Sequence, residues 1–268
     1  MSSTIVADLH IHTDASDGQM CLREVIGTAA QRGLRAIAIT DHDRLHPQLD
    51  ARISHSAGVE VIHGVEIRVD LDGVRVDLLG YGVTQRPQLD AMLMRIQRSR
   101  IERAAAMIRS LEDALDVSLG LSPSPGIGRP TIAAAVVAAV DGYTIDRVFT
   151  ELIGADCPHY VRRWVPDAVD AIDALRAADA LISLAHPYRY EDFDAATAGV
   201  DRLDAIEAFY PYGTERQDLV DPVRLEEMAT AADLLLTGGS DAHGRTVGAA
   251  GVDAQTYGRF RSALIHAG

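Results

Sequence analysis

Cysteine is scarce: Cys21 and Cys157 are the only two in 268 residues, and neither sits in a Cys-x-x-Cys pair. That excludes a disulfide framework and a thiolate metal site, and it fits a reducing cytoplasm. Long apolar runs are missing as well. The longest, Ile132 to Val140, is far shorter than the roughly 20 residues of a membrane span. The start, MSSTIVADLH, lacks a basic segment followed by an apolar one, so no export signal is read. There is no Ser/Gly or Pro linker, no solenoid-period repeat and no long run of one charge. No Gly-rich loop of Walker type is present, so ATP is not expected as a cofactor. Positive charge is in deficit too: the formal net charge is -14, which argues against clamping a long nucleic-acid backbone. A small anion held through a metal stays compatible with it.

What is present is enough apolar material, 47 % of residues, for one core, or one core with an insertion. Strand-like runs at Ile5 to Ile11, Ala36 to Thr40 and Val59 to Val65 alternate with helical spacing over Leu22 to Ala30 and a short helix expected over Pro47 to His55. Asp72-Gly73 between Ile67 to Asp70 and Val74 to Leu79 signals a hairpin. The alternation of β and α units predicts an α/β fold, a parallel sheet or barrel with helices outside. After Gly82 the pattern turns helical, and Arg86 to about His159 reads as an α-helical insertion, with arginines such as Arg95 and Arg103 on a solvated face among glutamates. From Pro166 the alternation returns. The expected division is therefore a core of 1–85 and 160–268 and a helical insertion of 86–159 that forms part of a substrate pocket.

Polar residues of metal-ligand type recur where the strands end. They are His10 and His12 with Asp17 behind, Asp41 and His42, Glu66, Asp77, His186, and Asp241 with His243. In a parallel sheet or barrel, neighbouring strand ends converge on one face, so these residues are expected in one pocket. His10 and His12, two apart on a strand, point the same way and can grip one ion together. Imidazoles and carboxylates without thiolates suit Zn, Mn or Fe, and the carboxylates exceed one ion's needs. Glu66 could bridge two ions. Singly, each residue has another reading: Asp14 and Asp43 as caps, Asp17 as half of a turn with Gly18, and His46, His55, His63, His159 and His266 as ordinary polar residues. The recurrence at so many strand ends carries the argument.

In these residues the chain resembles the PHP family, named for its polymerase-associated and histidinol phosphatase members. DLHIHTDASDG, AIAITDHD, HGVEI, LAHP and GGSDAH follow that family's ordered motifs, and the resemblance covers nearly the whole chain, most closely the small stand-alone phosphoesterases. It implies a distorted (β/α)7 TIM-like barrel with two or three divalent ions, Zn, Mn or Fe with Mg possible at one site. By position, His10, His12, Glu66 and Asp241 would hold one ion, Asp17, His42 and His243 another, and Glu66 with His186 a third. Glu66, Asp241 and His243 would be catalytic. The family usually supplies a histidine to the third ion where this chain has Asp77, which changes charge and softness there. Similar phosphoesterases also often carry Arg-x-His in the insertion, where this chain has Arg129-Pro130-Thr131, and a histidine where it has Gly213. Arg129 is a candidate phosphate clamp, with a structural role in the Pro/Gly loop as the competing reading, and Arg189 is a second candidate.

The leading expectation is a metal-dependent hydrolase of a phosphomonoester or small phosphodiester of nucleotide or sugar-phosphate type, acting through a metal-bridging hydroxide. The expected partner is a small phosphorylated substrate, with no long nucleic acid and no membrane. Two alternatives stay open: hydrolysis of an amide or lactone by the same centre, and a non-catalytic metal-stabilised binding module.

Overall fold

The computed structural model describes residues 4–124, 126–213 and 219–267. In chain order the elements are β1 (Ala7–Ile11), α1 (Leu22–Gln31), β2 (Ala36–Ile39), β3 (Ile53–Ser56), β4 (Val59–Leu71), β5 (Val74–Tyr81), α2 (Pro87–Leu115), α3 (Arg129–Ala139) and α4 (Ile145–Val148). After a π-helical turn at Phe149–Ile153 come α5 (Ala168–Ala177), β6 (Leu181–Leu184), α6 (Phe193–Thr197), β7 (Ala205–Phe209), α7 (Pro222–Ala231), β8 (Leu235–Gly238) and α8 (Ala254–His266). Two compact units result, one of Met1–Met92 with Pro166–Gly268 and one of Leu93–Val165.

The first unit is built on a mixed, curled sheet in the order β1-β2-β4-β5-β6-β7-β8, with β3 paired to β4. An isolated parallel bridge between Ile11 and Ala242 links the chain after β8 back to β1. The sheet is less parallel than the β/α alternation predicts. Parallel pairs join β1 to β2, β2 to β4, β6 to β7 and β7 to β8, whereas β3–β4, β4–β5 and β5–β6 run antiparallel. The hairpin at Asp72-Gly73, with φ angles of 48° and 93°, makes β4–β5 antiparallel, and a second turn at Ala57-Gly58, with φ angles of 51° and 78°, does the same for β3–β4. β4 is one strand of 13 residues from core to hairpin tip. The short helix expected over Pro47 to His55 is absent: Ile53 to Ser56 pair instead with Ile62 to Val59 on β4. Ladder hydrogen bonds along an available strand edge outweigh the weak helical pattern of that stretch.

Strands covered on both faces read as continuous apolar runs, and β2, AIAI, is buried at every position. On one side Leu9, Ile62, Leu79 and Tyr81 pack against Phe260 and Leu264 of α8, with Tyr81 and Phe260 edge to face at 5.1 Å. On the other, Val25 and Ala29 of α1 cover Ile37, Ile39 and Val61. Each fully buried aliphatic of this kind contributes about 1.5–3 kcal/mol. α1 is opened by a capping box in which the Glu24 carboxylate accepts from the Cys21 N–H at 2.9 Å.

The Leu93–Val165 unit has its own core, with Met107, Ile108 and Leu111 against Ile132, Val136, Val148 and Ile153. Arg95, Arg98 and Arg109 are exposed, as a solvated face requires, while Arg95 and Arg103 also take partners other than glutamate. Arg95 stacks on Trp164 at 3.7 Å, Arg103 donates to the Val161 carbonyl at 2.7 Å, and the Glu112 carboxylate is taken up by the Leu119 N–H. Among the described residues no helix is long and apolar enough to cross a membrane.

Candidate metal centre

Neighbouring strands deliver the polar residues to one place: His12, His42, His186, Asp241 and His243 follow the ends of strands, whereas Glu66 and Asp77, expected at strand ends, lie inside β4 and β5 because the hairpin prolongs both. His12 N–H donates to the Ala242 carbonyl at 3.0 Å, setting His10 and His12 beside Asp241 and His243. Asp43 N–H donates to the Glu66 carbonyl and Glu66 N–H to that of Asp41, so the chain beyond β2 lies along β4 and carries His42 to Glu66. Ala185 N–H donates to the Asp77 carbonyl, which brings His186 to the same side. Gly239 makes the closure possible. A Cβ there would lie 2.3 Å from that of His10, so only glycine lets the end of β8 approach β1 so nearly.

The result is three overlapping groups: His10, His12 and Glu66; His12, Asp17, His42 and His243; and Glu66, Asp77 and His186. Within each, the nearest nitrogen and carboxylate atoms lie within 4.8 Å of one another. Glu66 is buried at the middle. Its Oε2 is 3.5 Å from His10 Nε2, 3.3 Å from His12 Nε2 and 2.8 Å from His42 Nδ1, and its Oε1 is 3.2 Å from His186 Nε2. Asp241 Oδ1 lies 3.5 Å from His10 Nε2 and 3.0 Å from His12 Nε2. Asp17 reaches His243 Nε2 at 3.3 Å and His42 Nε2 at 3.7 Å. His186 and Asp241 both adopt left-handed backbone, with φ of 30° and 49°, a strain that clusters where side chains must be aimed.

These contacts are not a self-satisfied hydrogen-bond network. Among the described residues, His10 Nε2, both ring nitrogens of His12 and Glu66 Oε2 are buried without a hydrogen-bond partner. Leaving such groups unpaired costs about 1–3 kcal/mol each. Lone pairs that converge without bonding one another are what a cation requires, so the donor set fits divalent metals.

The amino-acid comparisons agree with that chemistry. The PHP domain matches residues 8–147. The chain belongs to the PHP family. Across 258 residues, 90 % of this chain and 95 % of the relative, it is 30 % identical to a phosphoribosyl 1,2-cyclic phosphate 1,2-diphosphodiesterase of Eggerthella lenta. A 3',5'-nucleoside bisphosphate phosphatase of Chromobacterium violaceum is 31 % identical over 69 % of this chain and 67 % of its own length. A 5'-3' exoribonuclease of Haemophilus influenzae is 28 % identical over 68 % of this chain and 69 % of its own. A solved structure from Bifidobacterium adolescentis shares the fold, with a TM-score of 0.72, 24 % identity and 94 % of each chain covered.

The electrostatics of this PHP centre call for positive charge. Against the pull of burial, the carboxylates of Glu207 and Glu66 hold His10 well above the ordinary imidazole value. His42 is held at about 9, where Glu66 and Asp17 overcome burial. Burial would raise Asp17, but His243 and His42 bring it down to about 2. Burial lowers His12, and the neighbouring imidazoles add to it.

Several contributors were not singled out by sequence. Glu207, fully buried on β7, bonds His10 Nδ1 at 3.1 Å and accepts from His186 N–H at 2.8 Å. Its one visible signal is an acidic residue inside the apolar run AIEAF. Tyr210 donates to Asp241 Oδ2 at 2.9 Å. Asp41, grouped by sequence with the ligand types, instead accepts from Thr13 N–H, Thr13 Oγ1 and Ser16 Oγ and ties down the turn that carries Asp17.

The substrate-side candidates fall in different units. Arg189 lies at the centre, its Nη1 3.1 Å from Asp241 Oδ2 and 3.1 Å from the Tyr210 hydroxyl. Arg129 opens α3 in the helical unit, its guanidinium 5.6 Å from the Phe149 ring centroid and 5.7 Å from that of Tyr160. Asp77 belongs to the third group, yet both of its oxygens accept from Arg68, at 2.8 and 2.7 Å. Thr131 and Gly213 are exposed.

Proposed function

We propose that this chain hydrolyses a small phosphate ester, a monoester or a small diester, at divalent metals held around Glu66. The observation that carries the reading is the convergence of buried, unpartnered imidazole nitrogens on the one carboxylate oxygen Glu66 Oε2. The activities named for the Eggerthella and Chromobacterium relatives, both on small phosphorylated molecules, support the same class. In this reading the curled sheet is a distorted (β/α)7 barrel, and His10, His12, Glu66 and Asp241 take one ion while Asp17, His42 and His243 take another. Zn, Mn and Fe suit these donors, and Mg one site at most.

Bound divalent ions lower the pKa of coordinated water and offset charge growing on a phosphoryl group. The protein's own residues do the positioning. Glu207 fixes the ring of His10 by Nδ1 and leaves Nε2 aimed inward. Tyr210 and Arg189 occupy Oδ2 of Asp241, so that Oδ1 faces His10 and His12. Arg189 is half exposed and has further N–H groups for phosphoryl oxygens. Arg129 makes no hydrogen bond or ion pair among the described residues, only ring contacts, and offers the same fork to a phosphate.

The formal charge of -14 disfavours a long nucleic acid, although the Haemophilus relative is named as an exoribonuclease. The test is turnover of a chromogenic phosphate monoester, a cyclic phosphodiester and a short RNA, with Mn, Zn or Fe supplied. Hydrolysis of a small ester that Glu66→Ala abolishes is the expected result. Bound metal without turnover of any of the three would overturn the phosphoesterase reading.

A further inference from the structure

We propose that Arg68 stands in for a third cation: clamped on Asp77, it keeps the group of Glu66, Asp77 and His186 from taking a divalent ion, so the centre holds two. The inference rests on the reading that the centre binds divalent metals.

The pairing is built into the sheet. Arg68 on β4 and Asp77 on β5 are directly opposite in the antiparallel register, so their side chains leave the same face. Nε meets Oδ1 at 2.8 Å and Nη2 meets Oδ2 at 2.7 Å, the two-pronged geometry in which a guanidinium matches a carboxylate. Asp77 is buried, and its N–H donates to the Tyr190 hydroxyl at 2.7 Å, which fixes the strand where the pair forms.

The oxygen that a third ion would need is therefore already in use. Oδ2 is the atom of Asp77 that faces His186, 3.8 Å from Nε2, and it is also the acceptor for Nη2 of Arg68. Asp241 shows the contrast. Arg189 and Tyr210 both use Oδ2 there and leave Oδ1 to the imidazoles, whereas Arg68 uses both oxygens of Asp77.

Charge acts in the same direction. Aspartate in place of a neutral imidazole would by itself draw a divalent ion more strongly, but a guanidinium beside it cancels the added charge and repels the ion. Arginine stays protonated at any pH the fold survives, so pH does not release the pair by discharging it. His186 Nε2, 3.2 Å from Glu66 Oε1, is then a positioning partner for the Glu66 carboxylate.

The experiment counts metal, independently of activity. The full chain is saturated with Mn(II), freed of excess ion, and measured by elemental analysis per chain, beside Arg68→Met and the double variant Arg68→Met with Asp77→His. Two ions in the wild type and three in either Arg68 variant are expected. The double variant gives the group a neutral third ligand, so the test survives if the unpaired Asp77 of the single variant prevents folding. Three ions in the wild type, or two in both variants, would overturn the inference. A wild type that binds none would instead overturn the metal reading beneath it.

Discussion

The Glu207 carboxylate meets His10 Nδ1 at 3.1 Å while His10 Nε2 faces Glu66 and Asp241, so a residue outside the inner cluster decides which ring nitrogen points in. It also accepts from the His186 N–H, and so holds two strand ends at once. Removing such an outer carboxylate weakens metal affinity by about 10–100-fold in comparable sites. Glu207→Gln is expected to do so with the fold intact, measured by titration of Mn(II) into the metal-free protein with circular dichroism as control. An affinity equal to wild type would remove the positioning role.

Asp8 anchors the loop that carries Asp241 and His243. Its buried carboxylate accepts from Ser240 N–H at 2.9 Å, Ser240 Oγ and Gly248 N–H at 2.6 Å each, and His10 N–H at 3.3 Å. Asp8→Ala strips these donors of their acceptor and should destabilise the protein by about 3 kcal/mol or more. Urea unfolding of the metal-free chain measures it, and a change below about 1 kcal/mol would mean that water or neighbouring groups replace the carboxylate.

The cluster residues are legible because a histidine or carboxylate that closes or interrupts an apolar run stands out against it, although Glu66 and Asp77 lie within their strands and not at the ends. Less of the sheet's direction was legible. Ile53 to Ser56 pair with β4 through backbone groups that carry no residue signature, and two hairpins turn part of a nominally parallel sheet antiparallel. Arg68 was hidden for a related reason: nine positions from Asp77 in the chain, it becomes its neighbour only through the register of the Asp72-Gly73 hairpin. Glu207 was in view, inside an apolar strand, but its partner His10 lies at the far end of the sequence.

His63 sets part of the acid stability. Burial pushes its pKa down to about 4, helped by the nearby His46. An unfolded chain binds the proton near pH 6.5 and the folded one resists it, so the contribution is full above about pH 6.5 and is lost as pH falls toward 4. It amounts to as much as about 3 kcal/mol. In chelator, to keep metal loss out of the comparison, His63→Gln should lose less thermal stability between pH 7 and pH 4.5 than wild type does. Parallel losses in the two proteins would place the acid sensitivity elsewhere.

The central claim is that Glu66 and imidazoles from separate stretches of the chain form a centre for two cations side by side. Anomalous diffraction from crystals loaded with Mn(II) tests it directly. The account predicts two strong peaks, one among His10, His12, Glu66 and Asp241 and one among Asp17, His42 and His243, each within about 2.3 Å of its donor atoms. Peaks confined to surface carboxylates, with none beside Glu66, would contradict it.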